Sequence, residues 1–182
     1  MKLDELKSFC GSEITEPFRE YLHAPFSRGD FTFATDGKIM VRVSRVRSIT
    51  AEAKEIKHLD KPLEGLQGAE FRVLPRAILP EVRTEECDVC EGRGTLHDCP
   101  DCECGCEKCN GTGDQNEKIS VAVDGVPFAL RYIKKLLALP HIAVAKAEFE
   151  KPLLFQFLGG VGSLMPLRAA YDRHFEPFIG LE

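Results

Sequence analysis

The sequence predicts an α+β fold cut in two by a small cysteine-rich insert, and three observations carry that expectation. Asp36-Gly37 and Asp124-Gly125 each sit between runs of β-branched and aromatic residues, the pattern of a tight antiparallel hairpin. Between Ala129 and Leu139, Leu130, Ile133, Leu136 and Leu137 recur at helical spacing, with Arg131, Lys134, Lys135 and Ala138 on the opposite face. Finally, seven of the eight cysteines fall between Cys87 and Cys109.

Taken in order, Leu3, Leu6 and Cys10, with Phe9 beside them, predict a short amphipathic helix over 3–10 that ends at Gly11. Cys10 lies far from the other cysteines and reads as a small core residue. A second helical turn is expected over 16–23, before Pro25. Phe31 to Thr35 and Lys38 to Arg47 form the first hairpin, in which Val41 and Val43 alternate with Arg42 and Ser44. Arg42, Arg45 and Arg47 make a basic edge, readable as a solvated strand face or as a phosphate contact. A helix is expected from Ala51 to Leu59, a loop at Pro62, Gly65 and Gly68, and a strand from Glu70 to Leu74. Pro75 and Pro80 bracket the connection into the cysteines.

Beyond the insert, Ile119 to Val123 and Val126 to Phe128 form the second hairpin, and the helix that follows stops at Pro140. His141 to Phe149 and Leu153 to Leu158 read as strands, Gly159-Gly160-Val161-Gly162 as a turn, and Ser163 to Leu167 as a closing strand. After Arg168 the aromatic residues Tyr171, Phe175 and Phe178 should dock on the body or on a partner. The expected units are therefore 1–84 and 118–168 as two halves of one domain, 85–117 as the insert, and 169–182 as a tail.

Within the insert, Cys87/Cys90 and Cys106/Cys109 are C-x-x-C pairs separated by fifteen residues, a spacing suited to a four-cysteine zinc site. Each pair runs into two glycines, Gly92/Gly94 and Gly111/Gly113, which let backbone amides turn towards the sulfurs. Cys99, Cys102 and Cys104 lie between, with His97 the nearby imidazole. Seven cysteines and this histidine make eight ligands, the number that two tetrahedral zinc ions need. One zinc is the minimum expectation. Cys87/Cys90 can share it with Cys106/Cys109 or, across eight residues, with Cys99/Cys102.

Composition narrows the function. The chain has 182 residues, 43% hydrophobic and 29% charged, which suits one globular domain with an insert. No secretory signal or membrane-spanning run is visible, so an intracellular, cytoplasmic protein without membrane contact is expected. In a reducing compartment, clustered cysteines favour metal over disulfides. Residues 85–117 hold ten acids against Arg93 and Lys108, whereas the rest of the chain has 22 basic and 19 acidic residues. Such an insert is repelled by phosphate backbones and is expected to meet a protein. Neither H-E-x-x-H nor a phosphate-binding G-x-x-x-x-G-K-[ST] loop occurs, and no histidine has an obvious catalytic partner. An enzyme is therefore the second choice, a zinc- or thiol-dependent catalyst or redox protein using the inner cysteines.

Two resemblances add to this reading. The segments I-S-V-A-V-D-G-V-P-F, A-L-R-Y-I-K-K-L-L-A-L, K-P-L-L-F-Q-F and G-G-V-G-S-L-M-P-L-R resemble the last domain of bacterial DNA sliding clamps, the β subunit of the replicative polymerase. The earlier F-A-T-D-G-K-I-M-V-R-V is similar to the A-T-D-G segment of such domains. Together they cover roughly half the chain. The resemblance implies a clamp-like antiparallel sheet with helices on one face, a part in DNA replication or repair, and a partner-peptide pocket. It also implies DNA at the basic helix face of Arg131, Lys134 and Lys135, through contacts of the sequence-independent, salt-sensitive kind. Clamps hold two or three such domains in a ring, and this chain has room for one, so a ring would need several copies. The insert resembles the C-x-x-C-x-G-x-G zinc region of DnaJ-type chaperones, in which the first and last pairs share a metal. That resemblance adds a chaperone-like binding module to the alternatives, although the histidine-proline-aspartate motif of the J-domain is absent from the chain.

Overall fold

A computed structural model describes residues 2–12, 16, 18–52, 56, 58–95, 105–106, 109 and 112–178. The first half contributes α1 (Leu3–Lys7), β1 (Phe26–Arg28), β2 (Phe31–Thr35), β3 (Ile39–Ser44) and β4 (Arg72–Val73). The insert is bracketed by β5 (Thr84–Glu86) and β6 (Asp114–Asn116). The second half follows with β7 (Ile119–Val123), β8 (Val126–Ala129), α2 (Leu130–Leu137), β9 (Ala143–Val144), β10 (Leu153–Phe157), β11 (Gly160–Leu164) and β12 (Arg173–Phe178). The fold is α+β, with more strand than helix.

A seven-stranded antiparallel sheet runs in the order β1-β2-β3-β11-β10-β9-β4, so the halves interlock at β3 and β11. Period-2 patterning gives each strand two unlike faces. Ala34, Val41, Val43, Leu153, Phe155 and Leu164 point into the main core, together with Leu6 and Phe9 of the N-terminal segment and Leu130, Ile133 and Leu136 of α2. β7 and β8, with β12, complete that core as a three-stranded sheet. The opposite face of the large sheet has a smaller core of Phe26, Phe33, Met40, Leu59 and Leu63.

Polar contacts join the halves as well. Arg72 of β4 pairs with Asp124 in the β7–β8 turn, and the same carboxylate accepts the Ala147 amide at 2.8 Å. Asp36 accepts the Lys38 and Ile39 amides at 2.9 and 3.0 Å, shaping the first hairpin turn. Its other oxygen takes the Tyr132 hydroxyl of α2 at 2.7 Å. Burial and that acceptor push the Tyr132 phenol upward, so it remains the donor.

Both hairpins and α2 form where the sequence places them. Several expectations are corrected: the first helix stops at Lys7 rather than residue 10, and the strand over 70–74 shortens to Arg72–Val73. The glycine run is a turn only at its start, for Gly160 and Gly162 are strand residues of β11. A Cβ on Gly162 would lie 2.3 Å from the Met40 carbonyl and from the Phe155 ring, so the strand passes there only without a side chain. The closing strand accordingly ends at Leu164 rather than Leu167. The strand expected over 141–149 shrinks to Ala143–Val144, and a positive φ at His141 (52°) turns the chain just ahead of it. The tail docks on the body: β12 runs parallel to β7 and buries Phe178. The helical turn over 16–23 is realised as a 3-10 turn at Glu20–Leu22. Of the helix expected over 51–59, residues 53–55 and 57 lie outside the described residues, and the other five are not helical.

Gly162→Ala should leave the chemistry of every pocket untouched yet cost about 1–3 kcal/mol of unfolding free energy through overpacking. Urea unfolding of the two proteins measures it; equal midpoints would mean that β3 and β11 do not pack as described.

Candidate metal centre and adjoining pocket

Cys87, Cys90, Cys106 and Cys109 are buried, and their sulfurs all lie within 4.8 Å of one another. The Cys87–Cys106 and Cys90–Cys109 Sγ distances are 3.8 and 3.7 Å. A disulfide would need about 2.05 Å. Four thiolates bonded at about 2.3 Å to one tetrahedral ion sit about 3.8 Å apart. The donor set and its spacing therefore fit a metal ion, and the cage could hold one.

Local backbone geometry shows why the glycine repeats are needed. The Gly94 amide donates to Cys90 Sγ and the Gly113 amide to Cys109 Sγ, both at 3.3 Å. The Cys87 amide donates to the Gly113 carbonyl (2.8 Å) and the Cys106 amide to the Gly94 carbonyl (2.7 Å). Each repeat thus closes on the other with the same bonds, a pseudo-twofold cage. A Cβ on Gly113, where φ is 82°, would fall 2.2 Å from the Gly92 carbonyl oxygen. Below the cage, β5 and β6 pair over three residues.

Burial, the glycine amides and the neighbouring thiols act in opposite directions on these groups. Burial pushes the Cys90 thiol up to about 11, against the Gly94 amide that favours its thiolate. Burial also acts on Cys109, but the Gly113 amide and the neighbouring thiols outweigh it and bring Cys109 down to about 7. Metal capture displaces the protons that remain, so affinity falls as pH falls.

The structure brings Cys106/Cys109 to Cys87/Cys90, one of the two pairings the sequence leaves open. Cys99, Cys102, Cys104 and His97 lie outside the described residues. On α2, Arg131 and Lys134 are exposed, whereas Lys135 is half-buried. Its ammonium donates to the Ser8 carbonyl at 2.5 Å and sits 5.7 Å from the Phe9 and Tyr132 ring centres. Partial burial lowers its pKa. Lys135 therefore fastens the N-terminal segment to α2 and differs in role from its two basic neighbours. Cys10 packs against the main core as expected, and burial raises its thiol to about 11.

Sequence reasoning missed a pocket. Thr35, Gly37, Lys38 and Met40 from the first hairpin meet Ser163 and Met165 around a cavity of about 210 Å³ on the second face of the large sheet. Leu22, Leu59 and Pro62 complete its apolar wall, with Arg19 and His58 also lining it. Among the described residues no carboxylate lines it, and Arg19 is paired with Glu16. Pro62 and Met165 are shared with a wider groove of about 760 Å³ beside Leu154. Residues 125 positions apart meet here through β3–β11 pairing, and no local pattern announces such a contact.

No protein-family model, curated protein or solved structure matches this chain. Among the described residues no helix is long and apolar enough to cross a membrane.

Replacing Gly113 by Ala keeps all four sulfurs but puts a methyl group against the Gly92 carbonyl. Metal affinity, measured by competition with a chromophoric chelator, should drop about tenfold or more, as for other supports of ligand groups. For the unaltered protein the same titration should weaken steadily as pH is lowered. An affinity indifferent to both changes would argue against a thiolate cage.

Proposed function

We propose that this chain is a non-enzymatic binding protein with a sliding-clamp-like body, which holds a partner peptide in the pocket beneath β3 and β11 and serves DNA replication or repair. The observation that carries this reading is convergence. Thr35, Gly37 and Lys38 belong to the A-T-D-G-K segment and Ser163 and Met165 to the G-G-V-G-S-L-M-P-L-R segment, two stretches in which the clamp resemblance was read, and they line one pocket. An apolar wall with Lys38, His58 and Arg19 at its rim favours a short peptide that joins apolar side chains to acidic ones.

The metal is zinc in this reading, one ion in the four-cysteine cage. Four buried thiolates fill a tetrahedron and leave no coordination position for a substrate, which is the pattern of a structural site. When bound, zinc supplies cohesion to a polar segment that lacks an apolar core of its own. The acidic surface around it suits a basic protein partner. DNA contact at α2 rests on Arg131 and Lys134, the two exposed cations of that helix.

Fluorescence polarisation with a panel of labelled peptides pairing leucine and phenylalanine with aspartate tests the pocket. Saturable binding is expected, weakened at least about tenfold by Met165→Glu, which sets a charge against the apolar wall, a cost of about 1.4 kcal/mol or more. A panel that never saturates, or a Met165→Glu variant that binds equally well, would sink the peptide reading. For α2, Lys134→Glu should weaken duplex DNA binding and flatten its salt dependence; unchanged binding would remove that helix from the proposal.

A further inference from the structure

We propose that the open end of the second sheet face, built on Phe31 and Arg42 and flanked by Arg45 and Arg47, binds single-stranded nucleic acid. This surface is separate from the metal cage, the peptide pocket and α2, and the inference stands on its own observations.

Phe31 opens β2 with 41% of its surface exposed, unlike Phe33, the other aromatic residue of the two hairpin strands. Its ring is fixed from behind. Phe33 meets it edge-on with centroids 6.5 Å apart, and Phe33 is itself stacked on Phe26 at 5.7 Å; both of those rings are buried. From the adjacent strand, the Arg42 guanidinium lies 4.6 Å over the Phe31 ring centre. Arg42 pairs in register with Phe33, so it reaches Phe31 along the diagonal of the same face. An exposed ring and a guanidinium held together form a flat cationic platform. Unpaired bases stack on such surfaces without regard to sequence, because every base has a π-face.

The flanking charges suit the phosphates between those bases. Arg45 and Arg47 are exposed just beyond β3. Arg45 donates to the Gly29 carbonyl at 2.5 Å, a contact that orients the guanidinium without cancelling its charge. Among the described residues no carboxylate pairs with Arg42, Arg45 or Arg47. Arg42, Arg45 and Arg47 fall within six residues of one another, whereas the other arginines without a carboxylate partner among the described residues, Arg76, Arg83, Arg131 and Arg168, are spread along the chain. Its basic character was legible as an edge in the sequence. The aromatic platform that gives it a ligand was not.

The test is fluorescence anisotropy of labelled oligothymidylate and oligouridylate of about 15 nucleotides, a length near the upper site size of single-strand binders. Salt is varied between about 50 and 200 mM. Saturable, salt-sensitive binding of one or both is expected, and the tighter of the two identifies DNA or RNA as the natural strand. Phe31→Ala should weaken binding about tenfold. Arg45→Ala, at an exposed position, should lower the slope of log affinity against log salt by about 0.7. Because the chain has no tryptophan, Phe31→Trp gives a single reporter that keeps the platform. Its emission should be quenched by the oligonucleotide, a signal that does not depend on the alanine variant folding. Three results would each overturn the proposal: no saturation at low salt, affinities unmoved by Phe31→Ala and Arg45→Ala, or polyglutamate competing as well as the oligonucleotide. Peptide binding at the pocket is unaffected by these variants, so the two readings fail separately.

Discussion

The pairing of β3 with β11 is the constraint on which the rest of the molecule depends. It is the seam between two halves that the insert separates in sequence, and it runs for five residues, from Ile39↔Leu164 to Val43↔Gly160. Backbone bonds alone would not select this register. Gly160 and Gly162 do so by leaving room for Phe157, Phe155 and the β3 carbonyls, which a side chain at either position would strike. A slip of one residue would turn Val41 and Val43 out of the core. The same register sets Met40 opposite Ser163, and so builds the pocket on the second face as a consequence of closing the first.

Legibility followed the range of the interactions. Asp36-Gly37 and Asp124-Gly125 were readable because a tight turn is specified by its own residues, and α2 because its apolar stripe is periodic. The C-x-x-C pairs announced a metal cage, since ligand spacing along the chain is itself the signal. What stayed hidden is set by partners distant in sequence. Gly160-Val161-Gly162 has the composition of a turn and becomes strand by pairing with β3 and β10, where only glycine fits beside Phe155 and the Met40 carbonyl. Lys135 looked equivalent to Lys134 until Ser8 and Phe9 claimed it. β12 could not be foreseen as a strand running parallel to β7, since its partner is more than fifty residues away.

Charge is divided between body and insert, and the division bears on both proposed partners. Glu85, Glu86, Asp88, Glu91 and Asp114 are exposed along the segments that form the cage, and four thiolates there would add their charge, of which one divalent ion would cancel two. The proposed basic partner would be drawn there and a phosphate backbone would be repelled. The arginine platform at Phe31 has the opposite preference and lies on β2 and β3, while the chain leaves the large sheet for the insert at its other edge, β4. Two ligands of opposite sign can thus be sorted to different ends of one small domain.

The insert also reaches into the body mechanically. β6 leads straight into β7, and the Glu117 amide at that junction donates to the Arg83 carbonyl at 2.9 Å. Glu117 in turn pairs with Arg173 at the start of β12, next to the Ser120–His174 hydrogen bond of 2.9 Å. The four sulfurs hold the ends of the cage together, the β5–β6 ladder carries that closure to Glu117, and Glu117 anchors the C-terminal strand. A metal held there would do more than fold a loop: it would brace the β5–β6 ladder that leads to β7 and to the Glu117–Arg173 pair beside β12. An insert with no apolar core of its own becomes, through four thiols and one ion pair, part of what defines the three-stranded sheet.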